Sequence, residues 1–268
     1  MLKIEHLSFA YPSSPSLFHD LSATLSSTDV LAIIGRNGAG KSTLLRLLNG
    51  LLKPIRGHVE LNGKNLSELK IHEIARHIGT VFQSPEQQLF ASTVEEEVAF
   101  GPKQLGFKKQ RVEEKVAAAL DRTGLSSFAS YHPLDLDYAS RRFLTLACVL
   151  ANNPDILLLD EPQRGLDRAW TERLEQIISE ERQSGGAVIL VCHDMDFVER
   201  NATDVLPLGG ESVKQRATAD FFFDKAAVNE ISVETPWKIR IQRALDLNEM
   251  SPIREPVPLF MPVSGGRE

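Results

Sequence analysis

Gly35-Arg36-Asn37-Gly38-Ala39-Gly40-Lys41-Ser42-Thr43 carries the complete G-x-x-x-x-G-K-[ST] spacing of a phosphate-binding loop. Its flanks agree. Val30-Leu31-Ala32-Ile33-Ile34 reads as a short buried strand entering the loop, and Leu44, Leu45, Leu47 and Leu48 suit a helix leaving it. Gly35, Gly38 and Gly40 allow the backbone around Asn37 to wrap a polyphosphate. The loop amides and the helix N-terminus at Lys41–Thr43 then face its charge. Lys41 is placed to reach the β- and γ-phosphates, and the Ser42 hydroxyl to ligate Mg²⁺. The stretch predicts a strand–loop–helix unit that binds a nucleoside triphosphate.

The rest of the chain fits an α/β fold. Residues 2–9 and 18–25 read as strands, with Tyr11-Pro12 ending the first. Residues 58–61 form another, turning at Asn62-Gly63, a strong hairpin signal. Residues 78–82 are a further apolar strand, running into Gln83. From 84 to about 139 helical signals replace strand signals. Val112, Val116, Leu120 and Thr123 share one face of a helix over 109–123, so the stretch reads as a helical insertion. Another helix is expected over 140–151. Strand 156–159, helix 169–183, strand 187–191, helix 195–201 and a last strand at 204–208 restore the alternation that builds a parallel sheet flanked by helices. Beyond Phe223 the patterns weaken, and Pro252, Pro256, Pro258 and Pro262 mark a loop-rich tail.

Composition narrows the partners. The 268 residues carry 36 Asp and Glu against 30 Lys and Arg, a formal charge of −6, so no basic footprint for nucleic acid is expected. Cys148 and Cys192 lie in apolar segments and read as buried free thiols. No apolar run approaches the ~18 residues that a membrane span needs, and the N-terminus has no signal-like core. Any membrane role is expected to be peripheral, through a partner.

Several chemical residues fall at strand ends, where an open parallel sheet gathers its ligands. Asp160 follows strand 156–159 and is placed to hold Mg²⁺ through water; Glu161 is placed to polarise an attacking water. His193 follows strand 187–191 and faces the expected γ-phosphate position. Gln83 ends strand 78–82, where its amide could contact Mg²⁺ or the water. Tyr11 offers a ring either for stacking on a base or for packing on the core.

In this order, Tyr11, the phosphate loop, Gln83, a helical insertion, Asp160-Glu161, Gly165-Leu166-Asp167 and His193 resemble the ATP-binding cassette (ABC) ATPases, over residues 1 to about 220. The segments Gln83-Ser84-Pro85-Glu86-Gln87-Gln88-Leu89-Phe90 and Thr93-Val94-Glu95-Glu96-Glu97-Val98-Ala99-Phe100-Gly101 are similar to the energy-coupling factor (ECF) group, the ATPases of vitamin, cobalt and nickel importers. The resemblance implies a P-loop NTPase fold with N-terminal antiparallel strands, a mostly parallel central sheet, a nucleotide-binding domain over 1–222 and a small extension over 223–268 that helps hold two ATPases together. It implies ATP and Mg²⁺ as ligands, with Glu161, His193 and Gln83 catalytic and Ser42, Gln83 and Asp160 around the metal. The implied partners are a second ATPase, a transmembrane coupling subunit and a substrate-binding membrane subunit, at the cytoplasmic face of the membrane.

One departure stands against these agreements. The family's Leu-Ser-Gly-Gly-Gln signature, which binds the γ-phosphate held by the opposite subunit, is replaced here by Leu136-Asp137-Tyr138-Ala139-Ser140. Asp137 aims a carboxylate at a triphosphate, worth about 4 kcal/mol of repulsion at ~4 Å and an effective dielectric near 20. Tyr138 puts a ring where glycine lets backbone approach. Thr28-Asp29 and Gln163-Arg164 also depart from the usual Gly-Glu and Thr-Ala. An asymmetric heterodimer is therefore expected, in which this chain's own half-site works and its signature is impaired. The alternatives are a nucleotide-binding regulatory subunit with little hydrolysis, and a soluble cassette ATPase acting outside transport.

Overall fold

The computed structural model describes residues 1–82, 84, 89–210 and 213–248. Two sheets organise them. The first is antiparallel, built from Leu2–Phe9 (β1), Phe18–Leu25 (β2), Arg56–Leu61 (β4) and Lys64–Asn65 (β5) in the order β2-β1-β4-β5. The hairpin of β4 and β5 turns at Asn62-Gly63, both with positive φ. The second sheet contains Val30–Ile34 (β3), Ile78–Val81 (β6), Ile156–Asp160 (β7), Ala187–Val191 (β8), Asp204–Pro207 (β9) and Arg216–Ala217 (β10). Its order is β10-β9-β3-β8-β7-β6, parallel throughout except for β10.

The unbroken apolar runs of the central strands follow from burial on both faces. Alternate side chains enter two separate cores. Val30, Ala32, Ile34, Leu157, Leu159, Val188 and Leu190 join the core shared with the helices Val94–Gln104 (α3), Lys109–Thr123 (α4), Tyr138–Leu150 (α5) and Arg168–Gln183 (α6). Leu31, Ile33, Ile156, Leu158, Ile189 and Val191 join the core shared with Lys41–Leu48 (α1), the antiparallel sheet and Ile74 of the helix Ile71–His77 (α2). The phosphate loop leaves β3 where these two cores meet.

The helix over 109–123 lies where its periodicity puts it, buries Val112, Val116, Ala119, Leu120 and Thr123, and stops at Gly124, whose φ is 73°. It packs with α3 and α5 and is tied to α6, because Arg122 pairs with Glu181 at 2.7 Å and with Glu180 at 3.0 Å. Three expectations need correction. The helix expected from residue 140 begins at Tyr138, since Asp137 caps it. The strand at 204–208 is not the last, because β10 pairs antiparallel with β9. The segment after Phe223 is not only loop: after Met195–Asn201 (α7) and Thr218–Phe223 (α8), the described residues form Lys225–Glu230 (α9) and Trp237–Asn248 (α10). Asp224 starts α9 by accepting from the Ala226 and Ala227 amides, a three-residue signal easily lost in a polar stretch. Among the described residues no helix is long and apolar enough to cross a membrane.

Candidate functional site

A cleft of about 1170 Å³ opens at the C-terminal ends of β3, β7 and β8. It is lined by Tyr11, Asn37, Gly38, Gly40, Lys41, Ser42 and Thr43 on one side, and by Asp160, Glu161 and His193 on the other. These positions, far apart in the chain, converge because parallel strands all end at one sheet edge.

Backbone shape makes the loop. Gly35 has φ 145°, and a Cβ there would lie 2.4 Å from the carbonyl oxygen of Leu208, so only glycine lets the loop leave β3 against its neighbour. Gly35 thus shapes the cradle from behind and does not line the cleft. Gly40 has φ 96° and stands against the Phe18 ring, immediately before α1. Lys41 is buried, and its Nζ donates to the carbonyls of Gly35 at 2.7 Å and Arg36 at 3.1 Å. The ammonium is therefore held at the loop's mouth by the same backbone that would cradle phosphate. Burial pushes its pKa down, opposed by Glu161 and then Asp160.

The acidic side is tense. Asp160 is pushed above the ordinary carboxylate range, first by burial and then by the adjacent Glu161, with Lys41 and Arg142 opposing. Such a carboxylate gains from a cation beside it. Glu161 is 8% exposed and holds φ 50°, a left-handed conformation that turns its side chain out of β7. Its amide donates to Val191 O at 2.8 Å, and its carbonyl accepts from Arg142. Oε2 accepts from Gln163 Nε2 at 3.3 Å. Oε1 lies 3.5 Å from His193 Nε2 and has no hydrogen-bond partner among the described residues. A buried carboxylate oxygen at the cleft wall with no donor among the described residues is ready for one.

Tyr11 stands at the rim. Its hydroxyl shares a hydrogen bond with Thr43 Oγ1 at 3.1 Å and its ring meets Phe9 edge-on at 5.0 Å, so packing and a cleft-facing position coexist. Gln83 lies outside the described residues. Arg142 escaped the sequence reading: an arginine on a helix looks solvated, and only its burial under Glu161 marks it. The sequence reading aims Asp137 at a triphosphate. In the structure its Oδ1 accepts from the Ser140 amide at 2.7 Å, so the charge rests on the N-terminus of its own helix.

The sequence profile described as ABC transporter matches residues 18–164, more than half of the chain. The chain belongs to the ABC transporter family. The ATPase is 35% identical to an ABC transporter ATP-binding protein of Pyrococcus furiosus over 95% of its own length and 97% of the relative's. It is 34% identical to the energy-coupling factor transporter ATP-binding protein EcfA of Methanothermobacter thermautotrophicus, covering 88% and 77% of the two chains. Among solved structures, cbiO1 of Clostridium perfringens, described as part of the ABC transporter complex cbiONQ, superposes with a TM-score of 0.78 at 28% identity, over 92% of this chain and 98% of that one. The protein is thus an ATP hydrolase of the ECF A-component type.

Proposed function

We propose that this ATPase energises an ECF-type importer of a micronutrient, as one half of an asymmetric ATPase pair at the cytoplasmic face of the membrane. The observation that carries the catalytic part is Glu161: a buried carboxylate in the cleft wall whose Oε1 has no hydrogen-bond donor among the described residues, beside Lys41 and His193. In this reading Glu161 orients the water that attacks the γ-phosphate in line. Lys41 and the phosphate-loop amides stabilise charge on the phosphates, and His193 contacts the γ-phosphate from the opposite wall. Ser42 and Asp160 fit Mg²⁺, being a hydroxyl and a carboxylate, hard oxygen donors, the second raised toward protonation by its surroundings. Gln83 joins them by family resemblance. When bound, the ion would neutralise phosphate charge.

Two exposed apolar features support the proposed partners. Phe90, Phe100 and Phe107 lie at the surface of the helical insertion, Phe90 and Phe100 with rings 4.8 Å apart, and form the face proposed for the transmembrane coupling subunit. Trp237, Ile241 and Leu245, spaced by four on α10, are exposed on the proposed extension over 223–268 and suit contact with the second ATPase. The substituted signature at 136–140 favours a heterodimer, with the partner supplying the competent signature to this chain's P-loop.

The test is ATP binding and steady-state turnover of the chain alone and after co-purification with the membrane subunits, with Glu161→Gln as the blank. Glu161→Gln should bind ATP normally and lose turnover by roughly hundredfold or more. Weak turnover alone that rises with a second ATPase supports the asymmetric pair. Full turnover by the chain alone refutes it. Turnover unchanged in Glu161→Gln removes Glu161 from the reaction, and wild-type turnover no higher than the blank in every assembly leaves a nucleotide-binding regulatory subunit.

A further inference from the structure

Tyr138 replaces a residue without a side chain in the family signature, and its ring has an occupation within its own subunit. Its hydroxyl accepts from Arg142 Nη1 at 2.9 Å, one turn along α5, and the guanidinium carbon lies 5.7 Å from the ring centroid. Arg142 is 5% exposed, and its Nη2 donates to the carbonyl oxygen of Glu161 at 2.5 Å. The same ring covers the turn after Glu161. Gly165 has φ 75°, and a Cβ on it would sit 3.0 Å from Tyr138 Cε1. One aromatic residue thus touches both the arginine that holds the Glu161 peptide and the loop that follows it.

This matters because Glu161 holds φ 50°, a conformation that a residue with a Cβ keeps only when its surroundings impose it. Three hydrogen bonds impose it from either side of the residue: the amide to Val191 O at 2.8 Å, and the carbonyl from Arg142 and, more weakly, from the Arg164 amide at 3.2 Å. The guanidinium is a planar fork, so its aim is set by what the other nitrogens meet, and Tyr138 fixes one of them. We propose that Tyr138 is a positioning residue in cis: through Arg142 it holds the Glu161 backbone in the orientation that points the carboxylate into the cleft. The substitution at 138 has then replaced a role toward the opposite subunit with one toward the chain's own site. The proposal rests on the reading of Glu161 as the residue that orients water.

The experiment is steady-state MgATP hydrolysis by the full chain, in whichever assembly gives turnover above the Glu161→Gln blank, with Tyr138→Phe and Tyr138→Gly alongside. Thermal midpoints are measured in parallel. Tyr138→Phe keeps the ring and removes only the hydroxyl. It should lower kcat about tenfold, the size of one lost hydrogen bond to a charged group, with KM unchanged and the midpoint lowered by no more than the few degrees that one such bond carries. Tyr138→Gly should lower kcat at least as far. A Tyr138→Phe rate within twofold of wild type overturns the proposal. So does a rise in turnover on Tyr138→Gly, which would make the ring an obstruction to the opposite site. A fall in midpoint with kcat and KM changing together marks a purely structural role and also overturns it. Failure of the underlying reading shows separately, as equal rates for wild type and Glu161→Gln, and the positioning role falls with it.

Discussion

Glu97 is a carboxylate outside the candidate cleft that the fold uses as an anchor. It lies on α3 and is 4% exposed, and its Oε2 accepts from the backbone amides of Phe90 at 2.8 Å and Ala91 at 2.7 Å. Glu97→Ala removes the acceptor for both. Hydrogen bonds to charged groups contribute about 1.5–3 kcal/mol each, and water can reach part of this pair, so the lower end applies and the loss is ~3 kcal/mol. For a chain of this size each kcal/mol shifts the midpoint by about 2–4 °C, which predicts a fall of roughly 6–12 °C. Glu97→Gln keeps an acceptor oxygen and gives up only its charge, so roughly 1 kcal/mol should go. Urea denaturation of the three proteins measures the loss, and amide exchange at Phe90 and Ala91 locates it. A loss below ~0.5 kcal/mol in Glu97→Ala, or unchanged exchange at those two amides, would refute the reasoning. Since Phe90 meets Phe100 edge-on at the face proposed for the membrane partner, coupling to that partner should weaken before ATP turnover does.

Two further outcomes are expected. Gly40→Ala puts a Cβ 2.7 Å from Phe18 Cζ at φ 96°, and the strain of about 1–2 kcal/mol plus the ring's displacement should weaken ATP binding at least ~10-fold by calorimetry; unchanged affinity would show that the loop adapts. Asp224 is held below the ordinary carboxylate range by Arg216 and then by the Ala227 amide. A depressed folded value adds stability above the unfolded value, about 4, and that stability is lost as pH falls through the depressed value. The advantage of wild type over Asp224→Ala should therefore be complete at pH 7 and close in acid; a gap that persists in strong acid would mean that the charge of Asp224 is not its source.

Much of the site was legible in the sequence because its parts are local. A phosphate loop is nine consecutive residues whose glycines, lysine and serine define the geometry among themselves. A buried parallel strand announces itself by an unbroken apolar run. The order of Asp160, Glu161 and His193 at strand ends then follows from topology. Tyr11 could be read either way, and the structure shows it packing on Phe9 and facing the cleft at once.

Tertiary structure decided the rest, wherever the deciding partner lies far along the chain. Asp137 reads as a misplaced charge until its helix is seen to start at Tyr138, with the Asp137 carboxylate capping it. The four-residue spacing of Tyr138 and Arg142 is visible in the sequence, but nothing there says that the arginine ends beneath the carbonyl of Glu161. That contact exists because α5 packs against the sheet beside β7. The helices after Phe223 were hidden because α9 and α10 are short or polar on most of their faces. Local chemistry therefore determined that this chain binds and spends ATP. Packing alone decided which side chains meet the Glu161 backbone, because a buried hydrogen bond is fixed by the approach of two elements and leaves no period in the sequence of either.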